Sequence, residues 1–321
     1  MRRLAVTLDF LEERHREELL EVASKHGFDV RFAAMEPSLE DRSWMRDTEV
    51  LLTSSPRTIS ACGDGLRWVA SSWAGVDAYR SLLPEGCLLT NNTGAYGPTI
   101  SEHIIMLLLM LWRGEWSHMQ TQMKGVWGPH LPQRSIEGAT ICVLGTGDIG
   151  TTFARKARAL GAGRLIGVSR SGIARVEGVY DEMHPLGELE TVLPEVDALV
   201  MSLPGTDETA GIIDARRIAL LPSHAVLVNV GRGSAIVQDA LVRALEDGTL
   251  GGAALDVCTP EPLPEDDPLW HAPNCLITPH VAGNMTLQIT RDRTVTLFCE
   301  EFSRYARGET PLRVVDPALG Y

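Results

Sequence analysis

The sequence lacks long hydrophobic runs and closely spaced cysteines. Its longest apolar run, from Ile104 to Trp112, is far shorter than the roughly 20 residues that a membrane-spanning helix requires. Two arginines follow the first residue, but no apolar segment with a small-residue cleavage pattern comes after them, as it would in an export signal. The six cysteines stand far apart, without the short paired spacings of metal or redox sites. These absences predict a cytoplasmic protein with reduced thiols, no metal and no membrane association.

The chain also lacks basic runs. It has 29 Lys and Arg residues against 42 Asp and Glu residues, which gives a formal net charge of -13. Such a charge repels polyanions, and no stripe of aromatic and arginine side chains offsets it. Nucleic acid is therefore not expected as a partner. An acidic small molecule would have to be bound by locally placed arginines or backbone amides.

The length of 321 residues and the hydrophobic content of 44% predict a globular chain with two domains. In the first part, short apolar runs alternate with polar helical stretches, which is the pattern of βαβ units around a parallel sheet. Strands are predicted at 4–8, 50–53, 66–71 and 87–90, and a helix is predicted at 12–26. The breaker-rich segment 91–98 predicts a hinge, and a long apolar helix is expected from Thr99 to Trp116.

A second alternating pattern begins at Ala139. Its strands are nearly continuous runs of Val, Ile, Leu and Ala, as expected where helices cover both faces of a sheet. They are predicted at 140–144, 165–168, 198–203, 225–230, 253–257 and 276–278. A final amphipathic stretch, from Thr286 to Arg307, is long enough to return to the first domain. The expected fold class is α/β, with two doubly wound domains.

A glycine motif connects the first strand of this second pattern to a helix. Gly145, Gly147 and Gly150 form GxGxxG between the strand 140–144 and a helical stretch at 151–160. The first glycine permits a tight turn, the second lets backbone amides approach a pyrophosphate, and the third lets helix and strand pack closely. Glycine-rich turns also occur for structural reasons alone, but the strand and helix on either side favour a bound dinucleotide.

The end of the next strand indicates which dinucleotide would bind. An NAD site usually places an Asp or Glu there to accept hydrogen bonds from the ribose, whereas this chain has Ser169, Arg170 and Ser171. A guanidinium and two hydroxyls can bind a 2′-phosphate, so NADP(H) is preferred and NAD(H) remains possible. In the alternative interpretation, Arg170 is an ordinary solvated side chain and Asp181 or Glu177 reaches the ribose.

Polar side chains follow three later strands. Arg232 lies between two glycines, Asp256 leads to Glu261, and His280 follows the last strand. Ligands of doubly wound sheets bind at the carboxyl ends of strands, so these side chains are expected to converge. A histidine beside a carboxylate can donate a proton to a forming alkoxide, and an arginine can bind the carboxylate of a 2-keto acid. Asp256 would accept from the nicotinamide carboxamide. Each residue also has a structural alternative: a turn residue, a helix cap or a surface ion pair.

These motifs together resemble the D-isomer-specific 2-hydroxyacid dehydrogenase family, and the resemblance spans nearly the whole chain. The segments that carry it are GTGDIG at 145–150, NVGRG at 229–233, GAALDV at 252–257, EPLP at 261–264 and TPHVAG at 278–283. The resemblance implies a catalytic set of Arg232, Glu261 and His280. It also implies a flavodoxin-like substrate domain, residues 1–98 with 287–321, and a Rossmann cofactor domain, residues 99–286, inserted in it.

The family implies further contacts. Backbone amides of the loop 72–77 would bind the substrate carboxylate, and the substrate contacts would be Trp73, Ala74, Gly75, Arg232 and His280. Homodimers paired through the cofactor domains are usual, with residues 112–134 in the arm. The cofactor contacts that the glycine motif, the second strand end and the family together imply are Thr93, Gly145, Gly147, Asp148, Ile149, Gly150, Ser169, Arg170, Ser171, Leu203, Pro204, Val230, Gly231, Arg232, Asp256, His280 and Gly283.

Two departures from the family pattern matter. Ser169 and Arg170 replace the Asp of many members, which resembles the NADP-using glyoxylate and hydroxypyruvate reductase branch. Asn284, Met285 and Thr286 depart from the usual sequence after the last glycine of TPHVAG. Formate dehydrogenases pair the histidine with Gln, so Glu261 argues against that activity. The alternative is a cofactor-responsive interaction protein like the C-terminal-binding corepressors, whose long extra tails this chain does not show. The sequence therefore favours an enzyme acting on a small 2-keto or 2-hydroxy acid.

Overall fold

The computed structural model describes residues 2–316. The strands in this range are β1 (Arg2–Thr7), β2 (Phe28–Phe32), β3 (Val50–Thr53), β4 (Trp68–Ser71), β5 (Leu88–Thr90), β6 (Thr140–Leu144), β7 (Arg164–Ser169), β8 (Glu182–Pro185), β9 (Ala198–Met201), β10 (Val226–Asn229), β11 (Gly252–Leu255) and β12 (Cys275–Ile277). The α-helices are α1 (Glu13–Lys25), α2 (Leu39–Met45), α3 (Gly97–Trp112), α4 (Glu115–Met123), α5 (Asp148–Ala159), α6 (Leu189–Val192), α7 (Ala215–Ile218), α8 (Gln238–Glu246) and α9 (Gln288–Ala306).

One compact unit runs to Tyr96 and resumes at Asn284. Its sheet has the order β2-β1-β3-β4-β5, with every pair parallel, which is the flavodoxin-like order. The strand β3 is buried on both faces, since Val50 and Leu52 belong to one apolar core and Leu51 to another. This explains why its sequence is continuously apolar rather than alternating.

The other compact unit is continuous, Gly97–Gly283. Its parallel sheet has the order β12-β11-β10-β9-β6-β7-β8. The direction of winding reverses between β6 and β9, and ligands of open α/β sheets bind at the carboxyl ends of strands beside such a reversal. The predicted fold class, two doubly wound α/β domains, is confirmed.

The predicted division of the chain placed borders after residues 98 and 286. The structure divides it after Tyr96 and after Gly283. Both divisions leave the first unit assembled from the two ends of the chain and the second unit continuous.

The helix predicted from Thr99 to Trp116 is wrong at both ends. α3 begins at Gly97 and ends at Trp112, and the chain then turns at Gly114. Gly114 has φ 67°, a left-handed conformation that glycine adopts without the penalty of a Cβ atom. α4 therefore starts as a separate helix at Glu115.

The six cysteines are free thiols, and four of them are buried. Burial raises the pKa of Cys142 to about 12 and that of Cys258 to about 11, so these thiols remain protonated and are poor nucleophiles. Among residues 2–316, no three His, Cys, Asp or Glu side chains are grouped so that they could hold a metal ion. No helix in the part of the chain that the structure describes is long and apolar enough to cross a membrane.

Candidate active site

The glycine motif forms the turn between β6 and α5. Gly145 has φ 100°, and a Cβ there would lie 2.8 Å from the carbonyl oxygen of Ser202. A Cβ on Gly150 would collide with the carbonyl oxygen of Gly145, so only glycine lets α5 pack this closely. A Cβ on Gly147 would meet nothing within 4 Å. The first and third glycines are thus required by packing, while the space beside the second remains open to a ligand.

Hydrogen bonds hold this turn in place. The Ser202 hydroxyl donates to the carbonyl oxygen of Gly145 (2.8 Å), and the Thr151 hydroxyl donates to that of Thr146 (3.0 Å). α5 already begins at Asp148, inside the motif, so the backbone amides of its first turn face the carboxyl edge of the sheet. The open space at Gly147 and these amides fit the pyrophosphate of a dinucleotide.

The end of β7 carries the predicted 2′-phosphate residues. Arg170 and Ser171 are exposed, and the Ser169 hydroxyl accepts from the amide of Gly172 (3.1 Å). Asp181, the alternative ribose ligand, lies elsewhere. Its amide donates to Leu165 at the start of β7, and its carboxylate accepts from Arg158 and from the Leu165 amide. Asp181 is therefore at the opposite edge of the sheet, and that alternative is wrong for this residue.

Close backbone packing positions Arg232 between neighbouring strand ends. A Cβ on Gly231 would lie 2.6 Å from the carbonyl oxygen of Leu203, and a Cβ on Gly233 would collide with the carbonyl of Cys258. The guanidinium donates to the carbonyl oxygen of Gly231 (2.8 Å). Arg232 thus follows β10 while its flanking glycines pack against the segments that follow β9 and β11.

Glu261 and His280 form a directly hydrogen-bonded pair. His280 Nδ1 lies 2.8 Å from Glu261 Oε2, and Glu261 Oε1 accepts from the Cys258 amide (3.0 Å). The second bond anchors the carboxylate to the backbone after β11. The carboxylate holds one ring nitrogen of His280, so Nε2 is the nitrogen available for chemistry. The predicted pairing of these two residues is present in the structure.

Asp256 accepts hydrogen bonds from the backbone amides of His280 and the two residues after it. Its carbonyl oxygen accepts from the His280 amide (2.9 Å), Oδ1 accepts from the Val281 amide (2.9 Å) and Oδ2 from the Ala282 amide (3.0 Å). Its side chain is only 2% exposed. His280 has φ 53°, a conformation that costs free energy in a residue with a side chain and persists only where the surroundings impose it. The His280 amide also donates to the carbonyl oxygen of Thr278 (2.9 Å), so Asp256 and Thr278 together hold this segment, a role that the sequence analysis did not predict.

The loop 72–77, which is predicted to bind the substrate, and Thr93 belong to the other compact unit. The Trp73 indole nitrogen donates to the carbonyl oxygen of Ser54 (2.8 Å), and its ring stacks on Tyr96 at a centroid distance of 6.5 Å. Asn92 and Tyr96 both donate to the carbonyl oxygen of Ser72. The described hydrogen bonds use neither the Ala74 nor the Gly75 amide. Side chains therefore hold the loop in place, and the Ala74 and Gly75 amides take no part in the described hydrogen bonds.

Comparison with known proteins identifies the family of this chain. The family model for the D-isomer specific 2-hydroxyacid dehydrogenase NAD binding domain matches residues 105–282. A glyoxylate/hydroxypyruvate reductase A from Serratia proteamaculans is 32% identical over 298 residues, which cover 89% of this chain and 93% of that protein. The chain belongs to the D-isomer-specific 2-hydroxyacid dehydrogenase family.

Solved structures resemble the whole chain. The NADPH-dependent glyoxylate/hydroxypyruvate reductase of Sinorhizobium meliloti, in complex with NADP and sulfate, is 29% identical with a TM-score of 0.80 over 100% of both chains. A family member from Xanthobacter autotrophicus, in complex with NADPH and MES, is 28% identical with a TM-score of 0.83 over 99% of each chain. The protein is thus an oxidoreductase of this family, and the corepressor alternative finds no support.

Proposed function

We propose that the protein reduces a small 2-keto acid to a 2-hydroxy acid with NADPH, and that Arg232, Glu261 and His280 are its catalytic residues. The observation that carries this proposal is the 2.8 Å contact between His280 and Glu261 after the strands β11 and β12. Both lie in the unit whose glycine turn leaves space for a pyrophosphate at Gly147.

The reduction needs a hydride at the carbonyl carbon and a proton at the carbonyl oxygen. A nicotinamide nucleotide, when bound, supplies the hydride. The imidazolium of His280 donates the proton from Nε2 to the oxygen as the C=O double bond becomes a C–O single bond. Glu261 holds Nδ1 and thereby orients the ring. In the reverse direction His280 accepts the hydroxyl proton. The proton and the hydride together account for the two hydrogen atoms that convert the ketone to the alcohol.

Arg232 is assigned to the substrate's carboxylate and carbonyl. A guanidinium is always charged at neutral pH and presents parallel N–H groups that match a carboxylate. The net charge of -13 repels an anionic substrate, so the substrate's carboxylate needs a local donor of this kind. In the proposal, the loop amides of Ala74 and Gly75 are further donors to the carboxylate, and the braced ring of Trp73 limits substrate size.

The cofactor preference rests on the end of β7. Arg170 offers a guanidinium there, whereas the carboxylate of Asp181 is bound at the other edge of the sheet, where β7 begins. None of the residues 169–171 carries a carboxylate, which would repel a 2′-phosphate. The resemblance to proteins bound to NADPH or NADP supports the same preference.

Replacing Arg170 by alanine should weaken NADPH binding about ten- to hundredfold, because one charge-assisted contact to the 2′-phosphate is lost. NADH binding should change little. Fluorescence titration with each nucleotide measures both constants. Arg216→Ala, which removes an exposed arginine from α7, is the matched control and should leave both unchanged. Equal weakening for NADH and NADPH would contradict the assignment.

The reaction itself can be tested with the purified protein. NADPH oxidation is followed at saturating cofactor with glyoxylate, hydroxypyruvate, pyruvate and longer 2-keto acids. We expect turnover with the smallest members and a decline as the C3 substituent grows. An absence of turnover with all of them would overturn the proposed activity.

The proposed assembly is a homodimer formed through the arm, residues 112–134. α4 and the residues after it expose apolar side chains, with Met123 87% exposed and Trp127 98% exposed. Met119 and Val126 are exposed as well, and a group of exposed apolar side chains marks an interaction surface, whereas a single one is ordinary. Light scattering should give the mass of two chains, and Met123→Glu combined with Trp127→Glu should give the mass of one. A wild-type mass of one chain would contradict the dimer.

A further inference from the structure

A partly buried histidine of α3, His103, contacts the segment that carries His280. His103 Nε2 lies 3.1 Å from the hydroxyl oxygen of Thr278 and 3.7 Å from Oδ1 of Asp256. The His103 side chain is 14% exposed, and burial lowers its pKa, so the ring is neutral near pH 7 and has one N–H group. Nothing in the proposed chemistry uses this histidine.

The chemistry of Thr278 determines the direction of these hydrogen bonds. The carboxylate of Asp256 can only accept, so the Thr278 hydroxyl donates its single proton to Oδ1 across 2.6 Å. Towards His103 the hydroxyl oxygen can then only accept. His103 must therefore carry its proton on Nε2. The bonds run in one direction, from His103 to Thr278 and from Thr278 to Asp256.

Asp256 connects these hydrogen bonds to the segment that carries His280. Its two carboxylate oxygens hold the amides of Val281 and Ala282, and its carbonyl oxygen holds the amide of His280. These three bonds, together with the bond from the His280 amide to the carbonyl oxygen of Thr278, hold the segment in which His280 has a positive φ. If the Asp256 carboxylate rotated, its bonds to the Val281 and Ala282 amides would both break. The backbone of this segment would then no longer fix the orientation of the His280 imidazole.

We propose that His103 is a positioning residue for the reaction, acting through Thr278 to orient the Asp256 carboxylate that holds the His280 segment. The reaction-related part of this inference rests on the proposed role of His280 as proton donor. His103 touches neither the proposed proton donor nor Glu261 in any described contact. Its effect is on the alignment of His280 rather than on proton transfer.

Variants of Thr278 and His103 test the relay. Thr278→Val keeps the shape and removes the hydroxyl, and we expect kcat to fall about tenfold, the value of one hydrogen bond. Thr278→Ser, which keeps the hydroxyl, should stay within about twofold of the wild type. His103→Leu should lower kcat as Thr278→Val does, whereas His103→Gln should recover most of it because the amide can donate from a similar position. KM for the 2-keto acid and the Kd of NADPH should change little.

The double variant H103L/T278V decides whether the two residues act as one unit. Its kcat should equal that of the single T278V variant, since either change already breaks the chain of bonds. Losses that multiply would overturn the relay, as would a T278S variant as slow as T278V. His224→Leu is the matched control: its Nε2 lies 3.0 Å from Asp197, at the opposite edge of the same sheet, and kcat should be unchanged.

A measurement without turnover separates this inference from the proposed activity. Two-bond proton–nitrogen correlation spectra of the unliganded protein report the tautomer of each histidine, and H103Q identifies the His103 signals. We expect the Nε2–H tautomer for His103, and we expect the His280 signals to move in T278V but not in T278S. An Nδ1–H tautomer, or unmoved His280 signals in T278V, would overturn the relay. Failure of the wild type to reduce any 2-keto acid would overturn the proposed function, while these spectra would still decide the relay.

Discussion

Replacing His280 by alanine should lower kcat by about 10²- to 10⁴-fold, the contribution of a positioned general acid. The Kd of NADPH should stay within about threefold, because the glycine turn and the end of β7, which bind the pyrophosphate and the adenosine in our proposal, are untouched. Steady-state kinetics in both directions and fluorescence titration with NADPH measure the two quantities. The loss should be found in kcat rather than in KM, since the proton is needed only as the alkoxide forms.

His184 provides a matched control for this variant. Its Nδ1 lies 3.1 Å from a carboxylate oxygen of Glu188, so it is also a histidine paired with a glutamate, but it lies within β8, the edge strand of the sheet on the side away from β12. His184→Ala should leave kcat unchanged. Retained turnover in His280→Ala would remove His280 from its role, and a parallel loss of NADPH binding would assign it a structural role instead.

Replacing Arg232 by alanine should lower kcat/KM for glyoxylate by about 10²- to 10³-fold, because two charge-assisted hydrogen bonds to the carboxylate are lost. Arg232→Lys should recover only part of this, since an ammonium keeps the charge but lacks the planar pair of donors. Glycolaldehyde lacks the carboxylate, so we expect a much lower kcat/KM for its reduction by the wild type. In both variants this kcat/KM should decrease by a smaller factor than that for glyoxylate. Initial rates with the two substrates give the ratio directly.

Arg243→Ala is the control for charge alone. Arg243 is exposed on α8, in the same compact unit, and its loss changes the net charge by the same amount. We expect its kcat/KM to match the wild type. Equal losses of Arg232→Ala on glyoxylate and glycolaldehyde would show that Arg232 does not recognise the carboxylate.

The fold was predictable where burial produced an uninterrupted apolar run. The predicted bounds of β3 and β6 coincide with those of the structure, because these central strands contact core on both faces. β2 and β8 are edge strands with half-buried, mixed sequences, and neither gave a signal. The turn at Gly114 was missed because a single glycine just after an apolar run is also compatible with a helix that continues.

The candidate site was predictable only in part. The strand ends indicated Arg232, Glu261 and His280, since parallel strands bring their carboxyl ends to one edge. His103 gave no signal, because a histidine inside an apolar helix is ordinarily a core residue and its partner Thr278 is 175 positions away. The only sequence sign for the role of Asp256 was an ionisable residue at the end of a buried strand.

Because one unit is inserted into the other, the two sheets obtain the last of their packing partners at different times during synthesis. All strands of the Gly97–Gly283 unit are synthesised before α9, and none of them comes from the segment after it, so that sheet does not need α9 in order to close. The first sheet has to wait, because Phe298 and Phe302 of α9 stack on Trp68 and complete its core. Until the last turn of α9 emerges, that sheet presents an apolar face to water and to any chaperone present.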